Sequence, residues 1–449
     1  MLAENQVHTV TIQGYASEGQ GVARIDGQVV FVKGALAGET CRISIEHVGH
    51  RAAWAHVEEI LTPSPDRIEP DCPYYGRCGG CQTRHMSYPA EVAFKAGKVH
   101  DALQRIGGVD PGLILLHGAS APDRYRNKVQ FPVAGSAIGY FQERTHHVID
   151  ISDCRLTPEI CAPIREAVVT WMRENHVPAY DEHTHTGLIR HLYIRTNRQG
   201  EALVCILANG RSFPKEDELV SALRAVSDKL IGISLGVNTR KTNVILGDSY
   251  RTLWGQDYLM DSLCGLTFRL SVPSFFQVNR PQAEVLYTLA AEFAGLTGTE
   301  TLLDLYCGTG TIGLIMAARA KEVIGVEVVA EAIADARENA RRNNVANARY
   351  LCADAGQAAA QLAAEGVRPD VVVVDPPRKG LSPEVIQVLL TMAPRKIVYV
   401  SCDPATLARD VKELTAAYTL KRAEAVDMFP RTHHVETVLS LVRREGDTP

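Results

Sequence analysis

The chain has 449 residues, 46% of them hydrophobic and 22% charged, with a net charge of −5. That length holds about three domains, each able to bury its own core, and the acidic balance argues against a general polyanion binder while leaving room for a local basic groove. No apolar run reaches the roughly 18 residues that cross a bilayer, and the first residues lack a signal-peptide pattern, so a cytoplasmic protein with no membrane partner is expected. Eleven cysteines spread without regular pairing favour reduced, functional thiols over a disulfide framework.

Residues 1–63 alternate apolar and polar side chains over Val7 to Ala16, Val22 to Phe31 and Cys41 to Val48, with a further run at Ala53 to Ile60. Short period-2 runs with turns at Ser17-Glu-Gly-Gln-Gly21 and Asp26-Gly27 predict a small antiparallel barrel. The pieces Glu18-Gly-Gln-Gly-Val-Ala23 and Val30-Phe-Val-Lys-Gly-Ala35 resemble the TRAM domain, an OB-like RNA-binding module. Residues 1–60 hold 4 Lys/Arg against 7 Asp/Glu, so any phosphate attraction here is local. Three prolines in Leu61 to Pro70 predict a linker.

Next comes Cys72-Pro-Tyr-Tyr-Gly-Arg-Cys78-Gly-Gly-Cys81. Close cysteines separated by glycines let thiolates converge on one centre, and Cys154 is the candidate fourth ligand, ahead of Cys161 in a helix-like stretch. A tight triplet with a distant fourth suits an iron–sulfur cluster better than zinc, which usually takes two separated pairs, and a structural role is expected. Residues 64–270 continue with a helix over Tyr88 to Ile106 and strands at Tyr125 to Phe131, Ile138 to Phe141, Ile189 to Arg195, Ala202 to Ala208 and Gly232 to Asn238. Arg126, Lys128, Arg190 and Arg195 alternate there with Tyr125, Phe131, Tyr140 and Tyr193, the pattern of a sheet that holds phosphates and stacks bases, or of a salt-bridged face.

Residues 271–449 open with Ser274-Phe-Phe-Gln-Val-Asn279 and an amphipathic helix from Pro281 to Ala294. The buried strand Thr301 to Tyr306 runs into Cys307-Gly-Thr-Gly-Thr-Ile-Gly313, and a second strand ends at Glu327. This is a βαβ opening with glycines at 308, 310 and 313 and an acid about 20 residues on for ribose hydroxyls. The loop alone does not separate NAD from S-adenosylmethionine. Asp304, placed to hold a cationic methionine end, and the later carboxylate and thiol groups favour the methyl donor. A third strand ends at Cys352-Ala-Asp354, a fourth at Asp375-Pro-Pro-Arg-Lys379, and a fifth, Lys396 to Val400, delivers Cys402 on a Ser-Cys-Asp-Pro turn. A cysteine there is ordinarily a small core hydrophobe. His433-His-Val-Glu436 leads into a closing strand.

Those motifs, in that order, resemble the RumA-type 23S rRNA (uracil-5-)-methyltransferases within the RNA uracil-C5 methyltransferase family, over nearly the whole chain. The resemblance implies an α/β protein with an N-terminal OB-like TRAM β-barrel (1–63), a central α+β domain with a [4Fe–4S] cluster (64–270) and a Rossmann-like S-adenosylmethionine-dependent methyltransferase domain (271–449). It implies Cys402 as nucleophile and Glu436 as the base that takes the C5 proton. Gln277, Tyr306, Glu327 and Asp375 match donor-site positions, with Thr311 and Asp354 as further contacts, and Cys72, Cys78, Cys81 and Cys154 match the cluster ligands. Asp403 stands where many members carry Asn, and Tyr306 where some carry Phe. The expected substrate is a uridine of 23S rRNA, flipped out of its stack, and the expected form is a monomer.

The chemistry asks for these groups. Uracil C5 is too weak a nucleophile to attack a sulfonium methyl, and thiolate addition at C6 makes it an enolate carbon. Cys402 is therefore expected to have a lowered pKa. Arg378 and Lys379 are expected to hold the RNA backbone at the mouth. Three rival readings differ in what they require of the chain. The same chemistry on tRNA belongs to a branch that generally lacks the TRAM module and the cysteine cluster. A silent RNA-binding or assembly factor need not keep Cys402 with Glu436, and a NAD enzyme leaves the Ser-Cys-Asp-Pro turn without a role.

Overall fold

The computed structural model describes residues 2–444. Six strands, Val7–Thr11, Gly14–Tyr15, Gly21–Ile25, Gln28–Lys33, Thr40–Val48 and Ala52–Thr62, form the first sheet. Period-2 alternation turns Val10, Ala23, Val30, Val32, Ile43, Ile45 and Ala55 inward as one apolar core. The run Val7 to Ala16 breaks into two strands because Ile12 leaves the ladder to fill that core; a Cβ on Gly21 would lie 2.8 Å from its Cγ2. The proline-rich segment after the barrel is clamped to it. Arg67 donates from Nε to Glu39 Oε1 at 2.5 Å and from Nη2 to Oε2 at 2.7 Å, and the Glu39 side chain is fully buried.

The central sheet has seven strands in the order Val148–Asp150, Ala137–Phe141, Lys128–Ala134, Ile189–Thr196, Ala202–Ala208, Leu230–Val237, Ser249–Gly255. The helices Cys161–Glu174 and Glu216–Val226 close one face over a core that includes Phe131, Val168, Trp171, Ile194, Ile206 and Leu223. The strand expected from Tyr125 starts only at Lys128, because the Arg126 and Asn127 amides donate to the Leu156 and Val278 carbonyls at 3.0 and 2.8 Å. The expected basic face is also altered. Arg190 and Arg195 are buried, and their guanidiniums donate to the carbonyls of Asn238, Arg240, Thr242 and Ser274. A buried guanidinium needs fixed acceptors, so these two arginines pin loops and do not meet a phosphate.

The last sheet has eight strands in the order Ala348–Cys352, Glu322–Glu327, Thr301–Leu305, Val371–Val374, Lys396–Ser401, Glu436–Arg443, Tyr418–Val426, Leu115–His117. The first five are parallel to one another. They are near-continuous apolar runs, such as the fully buried Val371–Val374, because helices cover both faces. Glu436–Arg443 is antiparallel to both of its neighbours. The edge strand Leu115–His117 comes from the middle of the chain, and Val99 and Leu103 of the helix Tyr88–Arg105 pack with Leu407, Ala408 and Val411 of Pro404–Leu414. Residues 88–117, read in the sequence as part of the 64–270 domain, thus complete this sheet. Among the described residues no helix is long and apolar enough to cross a membrane.

Candidate active site

Parallel strands that end at one edge gather whatever follows them. Leu305 pairs with Val374 and Val374 with Tyr399, so Tyr306, Asp375 and the Ser401–Cys402 turn emerge side by side. The antiparallel strand brings its first residue to that same edge. Ser401 pairs with Thr437, which sets Glu436 across from Cys402.

The glycine loop is built for close approach. Tyr306, Gly308 and Gly310 have φ of +65°, +53° and +80°. A Cβ on Gly310 would lie 2.8 Å from the Tyr350 hydroxyl, and one on Gly313 2.9 Å from Val323 Cγ1, whereas Gly308 faces open space. Glu327 accepts from the amides of Val328 and Val329 at 2.8 and 3.0 Å and from Gly308 at 3.3 Å, beside the exposed Val328. Thr311 begins the following helix, its hydroxyl 3.3 Å from that of Thr309. Asp354 lies at the same edge, but its Oδ1 caps the helix Ala355–Ala364 through the Gln357 amide at 2.8 Å. Asp304, expected to face the donor's cationic end, lies wholly buried beneath the loop and accepts the Gly313 amide at 2.9 Å. Burial, then the neighbouring Asp375 and Glu327, push its carboxyl up to about 7 against the pull of that amide.

The Cys402 turn is held at three points. Ser401 Oγ donates to the Asp403 carbonyl and accepts its amide at 3.1 and 3.2 Å, Asp403 caps the helix Pro404–Leu414, and Thr406 donates to the Arg378 carbonyl at 3.1 Å. Capping needs an oxygen acceptor, which either Asp or Asn supplies at 403. The thiol is not depressed as the chemistry suggested. Burial first, then the charges of Glu436 and Asp375, push Cys402 up to about 11, and Arg378 opposes them. Burial and Asp375 push Glu436 up to about 8, and burial alone takes Asp375 to about 7. Cys402 and Glu436, which share the cleft with Asp375, thus hold their protons more tightly than burial alone would make them.

Tyr287 was not singled out in the sequence because its place on the amphipathic helix reads as core. It is buried, its hydroxyl faces the Gln277 side chain, and it lies within the fields of Asp375, Glu436 and Asp304. The rings of His433 and His434 lie tilted with centroids 4.2 Å apart and are half-buried; burial, then Lys98, holds His433 at about 4, and burial, then His433 and the nearby cations, holds His434 at about 3.

Cys72, Cys78, Cys81 and Cys154 come together away from this edge, around a cavity of about 170 Å³ also walled by Tyr75, Arg126 and Tyr140. All four are free thiols. Burial raises Cys78, Cys81 and Cys154, while the cations of Arg84 and Arg126 pull Cys81 and Cys154 the other way. Cys161 is buried at the start of its helix and does not line the cavity. Among the described residues no three His, Cys, Asp or Glu side chains gather as they would around a single metal ion.

This strand order, with the glycine loop after the central strand Thr301–Leu305 and acids at the carboxyl edge, is that of a methyltransferase of the α/β class. A profile described as tRNA (uracil-5-)-methyltransferase matches residues 165–444, and a TRAM-domain profile matches residues 2–57. The chain is 41% identical over 450 residues to an RNA methyltransferase of Clostridium tetani, covering 99% of this chain and 98% of that one. It is 40% identical to one of Staphylococcus aureus, covering 97% and 98%. The crystal structure of Pyrococcus abyssi tRNA (uracil-54, C5)-methyltransferase in complex with S-adenosyl-L-homocysteine superposes with a TM-score of 0.78 at 27% identity, covering 97% of this chain and all of that one. The chain belongs to the RNA uracil-5-methyltransferase family, with S-adenosylmethionine as methyl donor.

Proposed function

We propose that the protein methylates C5 of a uridine in 23S rRNA through covalent catalysis by Cys402. The observation that carries this reading is the antiparallel pairing of Ser401 with Thr437, which sets a thiol against a buried carboxylate beside Asp375. Cys402 Sγ, as thiolate, adds to C6 of the base, and the electron pair moves to C5 and O4 as an enolate. C5 takes the methyl group from the sulfonium, leaving the neutral thioether. Glu436 removes the C5 proton, the C5–C6 double bond re-forms and the thiolate leaves. A raised Glu436 is matched to that proton transfer near neutral pH. The donor's positive charge would offset the part of the Cys402 shift that Glu436 and Asp375 add to burial, which favours the thiolate when the donor is bound.

Gln277, Tyr306, Thr311, Glu327, Asp354 and Asp375 are the donor contacts in this reading, with Tyr287 supporting Gln277. Attack on one face and transfer on the other require an unstacked base, so the uridine enters flipped. Phe275, 65% exposed two residues before Gln277 and with the Lys128 ammonium 5.9 Å from its ring centre, offers a stacking surface at the mouth. Arg378 and Lys379, exposed after Asp375, meet the backbone. The four-cysteine cavity holds a [4Fe–4S] cluster with a structural role. Four thiols around a space far larger than one ion, with Arg84 and Arg126 to balance thiolate charge, fit that group. Iron and acid-labile sulfide at four each per chain in anaerobically purified protein support it, and stoichiometric zinc overturns it.

A second reading is methylation of tRNA. The Pyrococcus abyssi tRNA enzyme aligns with 97% of this chain, too much to omit the barrel, so that module does not by itself select ribosomal RNA. Labelled-methyl transfer to undermodified 23S rRNA and to unmodified tRNA, followed by mapping of the product, separates the two. Label in rRNA alone supports the first reading, and label in tRNA alone replaces it with the second.

A further inference from the structure

The base is delivered by a stretch with no regular structure, residues 427–435, and the anchoring of that stretch is unusual. The Asp427 carbonyl accepts from Gln282 Nε2 at 3.2 Å and the Met428 carbonyl from Asn279 Nδ2 at 3.1 Å. Lys95 Nζ donates to the Phe429 carbonyl at 3.1 Å, and the Tyr125 hydroxyl to that of Pro430 at 3.2 Å. The Arg431 carbonyl takes the amides of Gln82 and Thr83 at 3.0 and 3.3 Å, directly after Cys81, and Lys98 Nζ reaches the His433 carbonyl at 2.9 Å. Of the seven carbonyls from 427 to 433, only that of Thr432 lacks a donor from a distant segment among these bonds. Irregular segments normally run over the surface and satisfy their carbonyls with water, but this one is largely buried, with Asp427, Met428, Thr432 and Val435 shielded from solvent. Here distant side chains and amides dictate its path.

One group sits at the centre of that arrangement. Lys95 Nζ is 2.7 Å from Glu91 Oε1 and 2.7 Å from Asp427 Oδ1, and all three side chains are fully buried. Glu91 Oε1 also accepts the Arg431 amide at 2.7 Å, and Tyr88 donates to Asp427 Oδ2 at 2.8 Å. Arg431 itself has φ of +68°, with its guanidinium 3.7 Å from Glu91 Oε2. Two carboxylates thus face two cations. On the buried stripe of the helix Tyr88–Arg105, Val99 and Leu103 supply hydrophobic packing, and Lys95 and Glu91, one and two turns before Val99, supply a charged network that adds directional restraint rather than bulk.

We propose that Lys95, with Glu91 and Asp427, is a positioning residue for catalysis. It fixes the path of residues 427–435 and through it the reach of Glu436 to the C5 proton. This rests on the reading of Glu436 as the base. Loss of the anchor slows proton removal, a step that follows methyl transfer, and leaves donor binding and thiol addition intact. A change in general stability would instead weaken every step together.

The test uses Lys95→Met, whose side chain keeps the length and loses the charge, in the full chain with its RNA and labelled donor. Expected are a fall in turnover of at least about tenfold, a donor Kd within about twofold of the parent, and accumulation of denaturation-resistant RNA–protein adduct carrying the labelled methyl. Unchanged turnover, or turnover lost without adduct, overturns the proposal. If Lys95→Met does not fold, Tyr88→Phe removes one bond to Asp427 and should give a smaller loss, about two- to fivefold, with the same adduct; parent-like turnover by it overturns the proposal. Glu436→Gln run alongside keeps the two claims apart. Normal turnover by that variant overturns the base assignment, whereas adduct in Glu436→Gln and none in a slowed Lys95→Met overturns the positioning role alone.

Discussion

The raised Cys402 thiol yields a quantitative expectation for the donor-free protein. With its value near 11 against an ordinary 9.0, the thiolate fraction at pH 8 is about one in a thousand instead of about one in ten, a ratio of roughly a hundred. Only the thiolate alkylates, so iodoacetamide should label the Cys402 peptide at pH 8 about a hundredfold more slowly than an unperturbed thiol. The exposed Cys352 provides an internal standard in the same digest. Burial is the largest cause of the shift and Glu436 the next, so Glu436→Gln should lower the thiol and speed labelling, most clearly above pH 8, where Glu436 is charged. Arg378→Gln removes the cation that opposes those acids and should slow labelling further. S-adenosylmethionine should accelerate it by placing a cation in the acid cluster. Cys402 labelling as fast as Cys352 in the donor-free protein, with neither variant changing it, would refute the reasoning.

Two further outcomes follow from the same geometry. Gly310→Ala puts a methyl group 2.8 Å from the Tyr350 hydroxyl and 3.1 Å from Ala336 Cβ at a φ of +80°, so a loss of about 1–3 kcal/mol and weaker donor binding are expected by calorimetry; parent-like values for both would count against the loop's role. Asp304, Asp375 and Glu436 are raised to about 7, 7 and 8, so between the ordinary carboxyl range and those values the folded chain binds more protons than the unfolded one. The stability they lend at low pH is therefore lost as pH rises through 7 and 8. His433 and His434, held at about 4 and 3, act in the opposite sense only below the ordinary histidine value of 6.5, and Lys98 and Lys128, lowered to about 8, act above it. The Tm of the donor-free protein should fall between pH 6.5 and 8, and saturating donor should flatten the slope. A rise over that window contradicts the assignment of the three acids.

What the sequence disclosed depended on whether the signal was local. Alternation exposed the barrel strands, and apolar runs ended by Gly or Pro exposed the parallel strands and the turn at Cys402, because these patterns follow from which faces are buried. Leu115–His117 escaped because a three-residue strand carries no periodic signal and its partner lies about 310 positions away. Arg190 and Arg195 misled for a related reason. A basic residue on a strand reads as a surface group unless the loop carbonyls that bury it are known. The resemblance carried by the ordered motifs singled out Cys402 and Glu436, but not the direction of their shifts. That direction depends on Asp375 and Arg378 meeting them across separate strands. The anchoring of residues 427–433 was invisible for the same cause, since its donors come from positions 82 to 282.

The central claim is that Cys402 forms and releases a bond to uracil C6. RNA carrying 5-fluorouridine at the target position tests it most directly, because fluorine cannot leave C5 as a cation and the final elimination is blocked. With S-adenosylmethionine, the protein should form a stable one-to-one adduct in which peptide mass mapping finds the methylated nucleotide on Cys402, and Cys402→Ala should form none while still binding donor. An adduct on another residue, or methyl transfer by Cys402→Ala, would contradict the account.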